Sequence, residues 1–233
     1  MLVWLKDEAH IFPFFLRHYS FADEIIVWDN VSTDASRSIL ESDSRVVIHN
    51  WDTGGESRED ELLRLKNEEY HKTGPGWKFI VDADEFYYHP HILQLLDMYD
   101  QVGITLAQTQ GFDMVSTSVP VDDGHSLLTD LVKDGVANVL FDKWGVVRDN
   151  CKVTYSYGAH HAKEFSGRAV ASVNRDIKLL HYRYLSKELV VEKALRLKPS
   201  EQNKKIQVGL LNADPEHMGA RWEMTWQNRK TVL

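Results

Sequence analysis

The sequence predicts an α/β fold built on a mostly parallel sheet, and three observations predict it. Short apolar runs suited to buried strands recur through the first half of the chain, and each is followed by apolar positions at helical spacing. The last of these runs, residues 77–83, carries Asp82 and leads into Asp84 and Glu85, which puts acids at the carboxyl end of a strand, where sheets of this class open to ligand. The expected architecture is therefore Rossmann-like, with helices on both faces of the sheet.

Each element has a local reason. Residues 1–5 read as a short buried strand, after which Ile11, Phe12, Phe15, Leu16 and Tyr19 recur at helical spacing. Residues 24–28 form a second strand ending at Asp29-Asn30, and Ser32 or Thr33 caps a helix whose Ile39 and Leu40 face inward. Residues 45–49 are the third strand. Ser57, with Asp60 three positions on, opens a long helix reaching about His71, which Gly74-Pro75-Gly76 ends. The second half reads as mixed sheet and loops. Strands are expected at 103–110, 153–157 and 177–185, the last with Ile177, Leu179, His181, Arg183 and Leu185 on one face. Ser186 caps a helix with Leu189, Val190, Lys193, Ala194 and Leu197 on one side, and another helix runs from Pro215 to about Arg229. No repeat or linker divides the chain, so residues 1–233 are expected to be one domain, with a functional boundary near residue 102 between a half 1–102 and a half 103–233.

Composition narrows the function classes. With 35 acids against 27 bases, the formal charge of −8 supplies no basic field, and a nucleic-acid partner is not expected. The longest apolar runs fall short of the ~20 residues that span a bilayer, and residues 1–5, followed at once by Lys6, Asp7 and Glu8, lack the pattern of a secretory signal. Cys151 is the only cysteine, so no internal disulfide is possible and a cytoplasmic location is the expectation.

Asp82 and Asp84 are two positions apart, so in a continuing strand they share a face, with Glu85 on the other. Two unit charges ~5 Å apart at an effective dielectric of ~20 repel by about 3 kcal/mol, and a hard divalent cation with oxygen ligands removes that repulsion. The alternative is a solvated acidic turn.

Several blocks together resemble glycosyltransferase family 2, with its GT-A fold, in its small bacterial members. Trp4-Leu5-Lys6-Asp7-Glu8 and the helix after it look like that family's opening strand and helix. Glu24 through Asp34 is similar to its second strand and acidic turn, and Trp77 through Phe86, with Asp82-Ala83-Asp84-Glu85-Phe86, to its D-A-D-E-F segment. Phe141-Asp142-Lys143, the stretch from Tyr157 to His161 and the stretch from Leu179 to Leu185 resemble further blocks, so the resemblance covers residues 1 to about 190. It implies a metal-dependent transferase of the hexosyl type that moves a sugar from a nucleoside-diphosphate sugar to a carbohydrate or lipid-linked acceptor, as in surface polysaccharide synthesis. Residues 1–102 would hold the donor and 103–233 the acceptor side. Asp29 and Asn30 would lie at the nucleoside. Asp82 and Asp84 would bind Mn²⁺ or Mg²⁺ against the diphosphate, with Asp82 also near the ribose and Asp84 catalytic through the ion. Two departures stand out: Asp7 replaces the usual Asn, and Val31 replaces a Gly, where a positive φ is costly.

Other assignments stay open on residues alone. Glu8 is either a donor-side acid or a tie to a backbone amide. Lys66 and Asn67 share a stripe with Leu63 and Tyr70, and Lys66 either faces the phosphates or snorkels. His181 is the candidate third metal ligand, with His160 and His161 as rivals, or it is a core histidine with one hydrogen bond. Arg183 and Lys163 are candidate partners of the diphosphate. Asp113 and Glu164 are the candidate general bases. Asp142 and Lys143 could pair with each other, and Trp144, Tyr155 and Tyr157 could stack on an acceptor sugar. The last helix, with Met218, Trp222, Met224 and Trp226, packs on the protein or makes a peripheral membrane contact near a lipid-linked acceptor. Two other functions are the alternatives: a sugar nucleotidyltransferase, which would carry a basic Gly-rich loop where Asp7 and Glu8 stand, and a non-catalytic carbohydrate-binding module.

Overall fold

A computed structural model describes residues 1–157, 161–207 and 210–233. The chain forms β1 (Leu2–Leu5), α1 (Phe12–His18), β2 (Ile25–Asp29), α2 (Ser36–Glu41), β3 (Val46–Asn50), α3 (Glu59–Glu68), β4 (Trp77–Asp82), β5 (Glu85–Tyr88) and α4 (Ile92–Val102). It continues with β6 (Leu106–Ala107), β7 (Gln110–Val115), α5 (Leu128–Leu131), β8 (Asp134–Ala137), β9 (Val146–Arg148), β10 (Cys151–Tyr155), β11 (Ala162–Gly167) and β12 (Ala171–Ser172). The last elements are β13 (Lys178–Tyr184), α6 (Lys187–Arg196), α7 (Glu201–Ile206), α8 (Pro215–Asn228) and β14 (Lys230–Thr231).

The larger sheet has the order β12-β6-β9-β4-β1-β2-β3. Its β4-β1-β2-β3 portion is parallel, and β9 runs antiparallel to both β4 and β6. Both faces are covered, which is why β1 is buried at every position. Val3, Leu5, Phe79 and Val81 point into a core shared with Phe12 and Phe15 of α1, Leu40 of α2 and Leu95, Leu96 and Tyr99 of α4. Leu2, Trp4 and Ile80 point the other way, against Tyr70, Val153 and Tyr155, with Leu62 and Leu63 of α3 partly buried beside them. The architecture is the one the sequence predicts, an α/β fold with a Rossmann-like, mostly parallel sheet covered on both faces in the first half and mixed sheet in the second.

A smaller sheet has the order β14-β8-β7-β13-β5, with β13 parallel to β7 and antiparallel to β5. The boundary near residue 102 does not separate the sheets. Strand β5 belongs to the smaller sheet, while β6, β9 and β12 extend the larger one. Ala83 and Asp84 make the turn between β4 and β5, so the chain passes from one sheet to the other at the acidic motif.

Several local expectations change. The strand expected at 103–110 is two strands, β6 and β7, and Asp113 lies within β7 rather than after a strand. Helix α3 is shorter than 57–71, and Ser57 does not cap it: the Glu59 N–H is satisfied instead by Asn203 Oδ1 of α7 at 3.0 Å. Neither Ser32 nor Thr33 caps α2, where Asp34 Oδ1 accepts the Ser36 N–H at 2.8 Å. Ser186 does cap α6, accepting the Leu189 N–H at 3.1 Å.

Candidate active site

Strands β1, β2 and β4 run parallel in near-matched register, Leu5 opposite Asp29 and Trp4 opposite Asp82, so the loops that follow them open at one mouth. That mouth is a cleft of about 290 Å³. Lys6, Asp7 and Glu8 enter it after β1, Asn30 after β2, Trp51 and residues 55–59 after β3, and Asp82, Ala83 and Asp84 after β4. The facing wall is Arg183 of β13 with Lys193 and Arg196 of α6. Its apolar lining comes from Trp4, Leu5, Trp51 and Leu62.

The two motif aspartates do different things, because β4 ends at Asp82 and the strand alternation does not carry through to Asp84. Asp82 Oδ1 lies 3.1 Å from Lys66 Nζ, and that ammonium sits 4.1 Å from the Trp4 ring centroid. Its backbone N–H donates to Glu85 Oε2 at 3.1 Å, and Glu85 is in turn ion-paired with buried Lys143. Burial opposes ionisation of Asp82, but Lys66 and Lys143 outweigh it and hold the carboxyl below its usual range. Repulsion within the acidic turn is thus offset largely by lysines of the chain itself.

Asp84 faces a histidine. Asp84 Oδ2 is 3.7 Å from His181 Nε2 and 4.0 Å from Lys193 Nζ. Burial again opposes ionisation, yet His181, Lys193 and Arg183 bring the carboxyl down to about 2. In the smaller sheet His181 stands level with Asp113 of the neighbouring parallel strand, and its Nδ1 lies 2.8 Å from Asp113 Oδ1. A carboxylate accepts only, so Nδ1 is the donor, and Nε2 is turned toward Asp84. Phe141 stacks on the imidazole at 4.1 Å, and Asn138 Nδ2 donates to Asp113 Oδ2 at 2.7 Å.

Among the described residues no three His, Cys, Asp or Glu side chains converge as a complete cation cage. A carboxylate oxygen and an imidazole nitrogen at 3.7 Å, the imidazole fixed from behind by a second carboxylate, are donors of the kind that would hold a divalent ion if a bound ligand supplied the rest.

The remaining expected residues divide. Glu8 lines the cleft and pairs with Lys193 at 2.8 Å, and burial pushes its carboxyl up. Asn30 lines it and accepts from the Thr53 N–H and Oγ1 at 3.2 and 3.0 Å. Asp29 lies behind the wall, only 2% exposed, accepting the Ser32 N–H at 2.9 Å beside Arg37 at 3.4 Å. Lys66 is buried beneath Asp82 and does not line the cleft. The expected bases fare differently from the acids of the turn. Asp113 has both oxygens engaged and is 5% exposed, and Glu164 is exposed on β11; neither lines the cleft. His161 and Lys163 are exposed and lie outside the lining, while His160 falls outside the described residues. Asp142 and Lys143 do not pair with each other: Asp142 meets Arg175 at 3.2 Å, and Lys143 meets Glu85. Tyr155 is a core residue whose hydroxyl donates to the Trp144 carbonyl at 2.8 Å, which removes it as a stacking platform.

Val31 does take the left-handed conformation, with φ 53°, as does Asp7 with φ 54°. The cost, of order 1–3 kcal/mol for such a residue, is offset by ties between the two loops. The Asn30 N–H donates to the Leu5 carbonyl at 3.0 Å, and Asp7 Oδ1 accepts the Thr33 and Asp34 N–H groups at 2.6 and 3.3 Å. Sequence reasoning gave no site role to Lys193, Arg196, Trp51 or Glu59. A signal existed for one of them, since Lys193 is a cation in the apolar stripe of α6.

No family model matches the chain, and no curated protein matches it. Among solved structures it is similar to S. aureus TarS, at 13% identity and a TM-score of 0.48, over 91% of this chain and 42% of that one. TarS 1–349 in complex with UDP (12% identity, TM-score 0.46) and with UDP-GlcNAc (12%, 0.44) match over 97% of this chain and 73% and 74% of theirs. The chain spans less than half the length of the longer TarS chain.

Proposed function

We propose that this chain is a glycosyltransferase of the family 2 type, moving a sugar from a nucleoside-diphosphate sugar to a hydroxyl of a carbohydrate or lipid-linked acceptor with the help of Mn²⁺ or Mg²⁺. The observation that carries the reading is the facing of Asp84 and His181 at 3.7 Å, backed by Asp113, at the mouth of the parallel sheet and opposite a wall of cations. A divalent ion held by Asp84 and His181 would offset charge on the diphosphate as it departs.

The chain's own residues do the rest. Arg183, Lys193 and Arg196 present positive charge toward the bound diphosphate. Trp4, Trp51 and Leu62 give the nucleoside an apolar surface, and Asn30 supplies a polar edge beside it. Lys66 holds Asp82 in one orientation, leaving that carboxylate's other oxygen to a donor hydroxyl. Asp113 keeps the His181 ring in place. The cytoplasmic location and a role in surface polysaccharide assembly belong to the same reading; no helix among the described residues is long and apolar enough to cross a membrane.

A thermal-shift screen of UDP-, GDP- and dTDP-sugars, each with Mn²⁺ and with chelator, tests it. A donor should raise the melting temperature only when the ion is present, because ligands that bind the folded state stabilise it by mass action. Stabilisation by free sugars and by no nucleotide sugar would instead favour a carbohydrate-binding module.

A further inference from the structure

Lys193 occupies an unusual position. Its ammonium lies 2.8 Å from Glu8 Oε2 and 4.0 Å from Asp84 Oδ2, and its side chain is 13% exposed in the cleft. It therefore sits close to the carboxylate oxygen that also faces His181. Lysine is a point charge on a flexible four-carbon stem, able to move between partners without a backbone change. Nearby Arg183 has a buried Nε with no hydrogen-bond partner among the described residues, and Arg196 approaches Asp7 only at 3.9 Å.

Resting on the donor reading above, we propose that Lys193 is a resident counter-ion: it neutralises the Glu8 and Asp84 pair while the cleft lacks donor, and transfers to the diphosphate when donor arrives. A divalent ion coming alone to Asp84 meets an ammonium beside the oxygen it needs. An ion arriving with a diphosphate does not, because the ammonium then has phosphate oxygens to bind. Lys193 in this way couples the two ligands, each raising the affinity for the other by the same factor. The cleft would stay largely free of metal until the donor is present.

Titration of Mn²⁺ into the full chain, followed by electron paramagnetic resonance with and without inorganic pyrophosphate, tests this. Wild type should bind Mn²⁺ weakly alone and about tenfold or more tightly with pyrophosphate. In Lys193→Met, Mn²⁺ alone should bind about tenfold more tightly, from removal of a like charge ~4 Å from the ligand oxygen, and the pyrophosphate enhancement should shrink. Lys193→Arg keeps the charge and should keep the enhancement, and Lys187→Gln, on the same helix but outside the cleft lining and paired with Glu223, should leave Mn²⁺ binding near wild type with and without pyrophosphate. If Lys193→Met loses its near-UV circular dichroism, the same titration on Lys193→Gln decides. Wild-type enhancement that persists unchanged in Lys193→Met or, where that variant is misfolded, in Lys193→Gln overturns the proposal and leaves the donor reading standing. Absence of Mn²⁺ binding by every variant, with pyrophosphate present, overturns both.

Discussion

At Asp113 three side chains meet two oxygens: His181 Nδ1 at 2.8 Å, Asn138 Nδ2 at 2.7 Å and Arg221 at 3.9 Å. A carboxylate so engaged has little capacity left to take a proton from an acceptor, and its effect runs through the histidine. Replacing Asp113 with Asn should leave a folded protein but weaken Mn²⁺ binding in the presence of nucleotide by about 10–100-fold, the range seen when a ligand's orienting partner is lost; equilibrium dialysis against Mn²⁺ measures it. Asp84→Asn should abolish the metal-dependent thermal shift with little change in the melting temperature of the unliganded protein. The two differ in legibility. Asp82 and Asp84 stand out in the sequence because a strand ending in acids is visible locally. The Asp113–His181 pair depends on the register of β7 against β13 across 68 residues, and no local spacing encodes that. The unforeseen roles of Lys66 and Lys143 as internal partners of Asp82 and Glu85 have the same origin.

Among the elements, those whose signals are local were readable: β1 to β4, α6 with its Ser186 cap, and α8 from Pro215. The cap of α3 was not, since Asn203 supplies it from a distant helix. Helix α4 went unread although Ile92, Leu95, Leu96 and Tyr99 keep helical spacing and Gly103 closes it with φ 79°. Ser186→Ala should cost about 1 kcal/mol of stability, the usual loss of an N-cap, read from urea denaturation. Because α6 carries Lys193 and Arg196, nucleotide-sugar affinity should, under the proposed function, fall as well. In β7, a Cβ on Gly111 would collide with Phe141 Cβ and lie 2.5 Å from the Asn138 carbonyl oxygen. Gly111→Ala should therefore destabilise by about 1–3 kcal/mol through overpacking and disturb the ring that stacks on His181, lowering Mn²⁺ affinity more than a remote core change of equal cost.

For the molecule as a whole, the clearest pH dependence comes from two half-buried histidines of the first half. Burial lowers His10 to about 3, with Lys193 reinforcing the shift, and lowers His18 to about 4 despite its contact with the Tyr87 carbonyl at 2.9 Å. Each takes up a proton near pH 6.5 when the chain unfolds but resists it while folded. Stability is thus fully present above pH 6.5 and is lost as pH falls through the window between the unfolded and folded values. A fall from pH 7 to 5 should cost about 2 kcal/mol per histidine, visible as a drop in the urea midpoint, and His18→Gln should flatten that slope by about half. The crossing of the backbone at Ala83 and Asp84 from one sheet to the other has a consequence of its own. A polypeptide cut after Val102 would leave β5 on the first piece without β13, and β4 without the β9 that covers its flank. Each fragment made separately would display raw hydrogen-bonding edges and clump; only co-production of both would restore a reassembled fold.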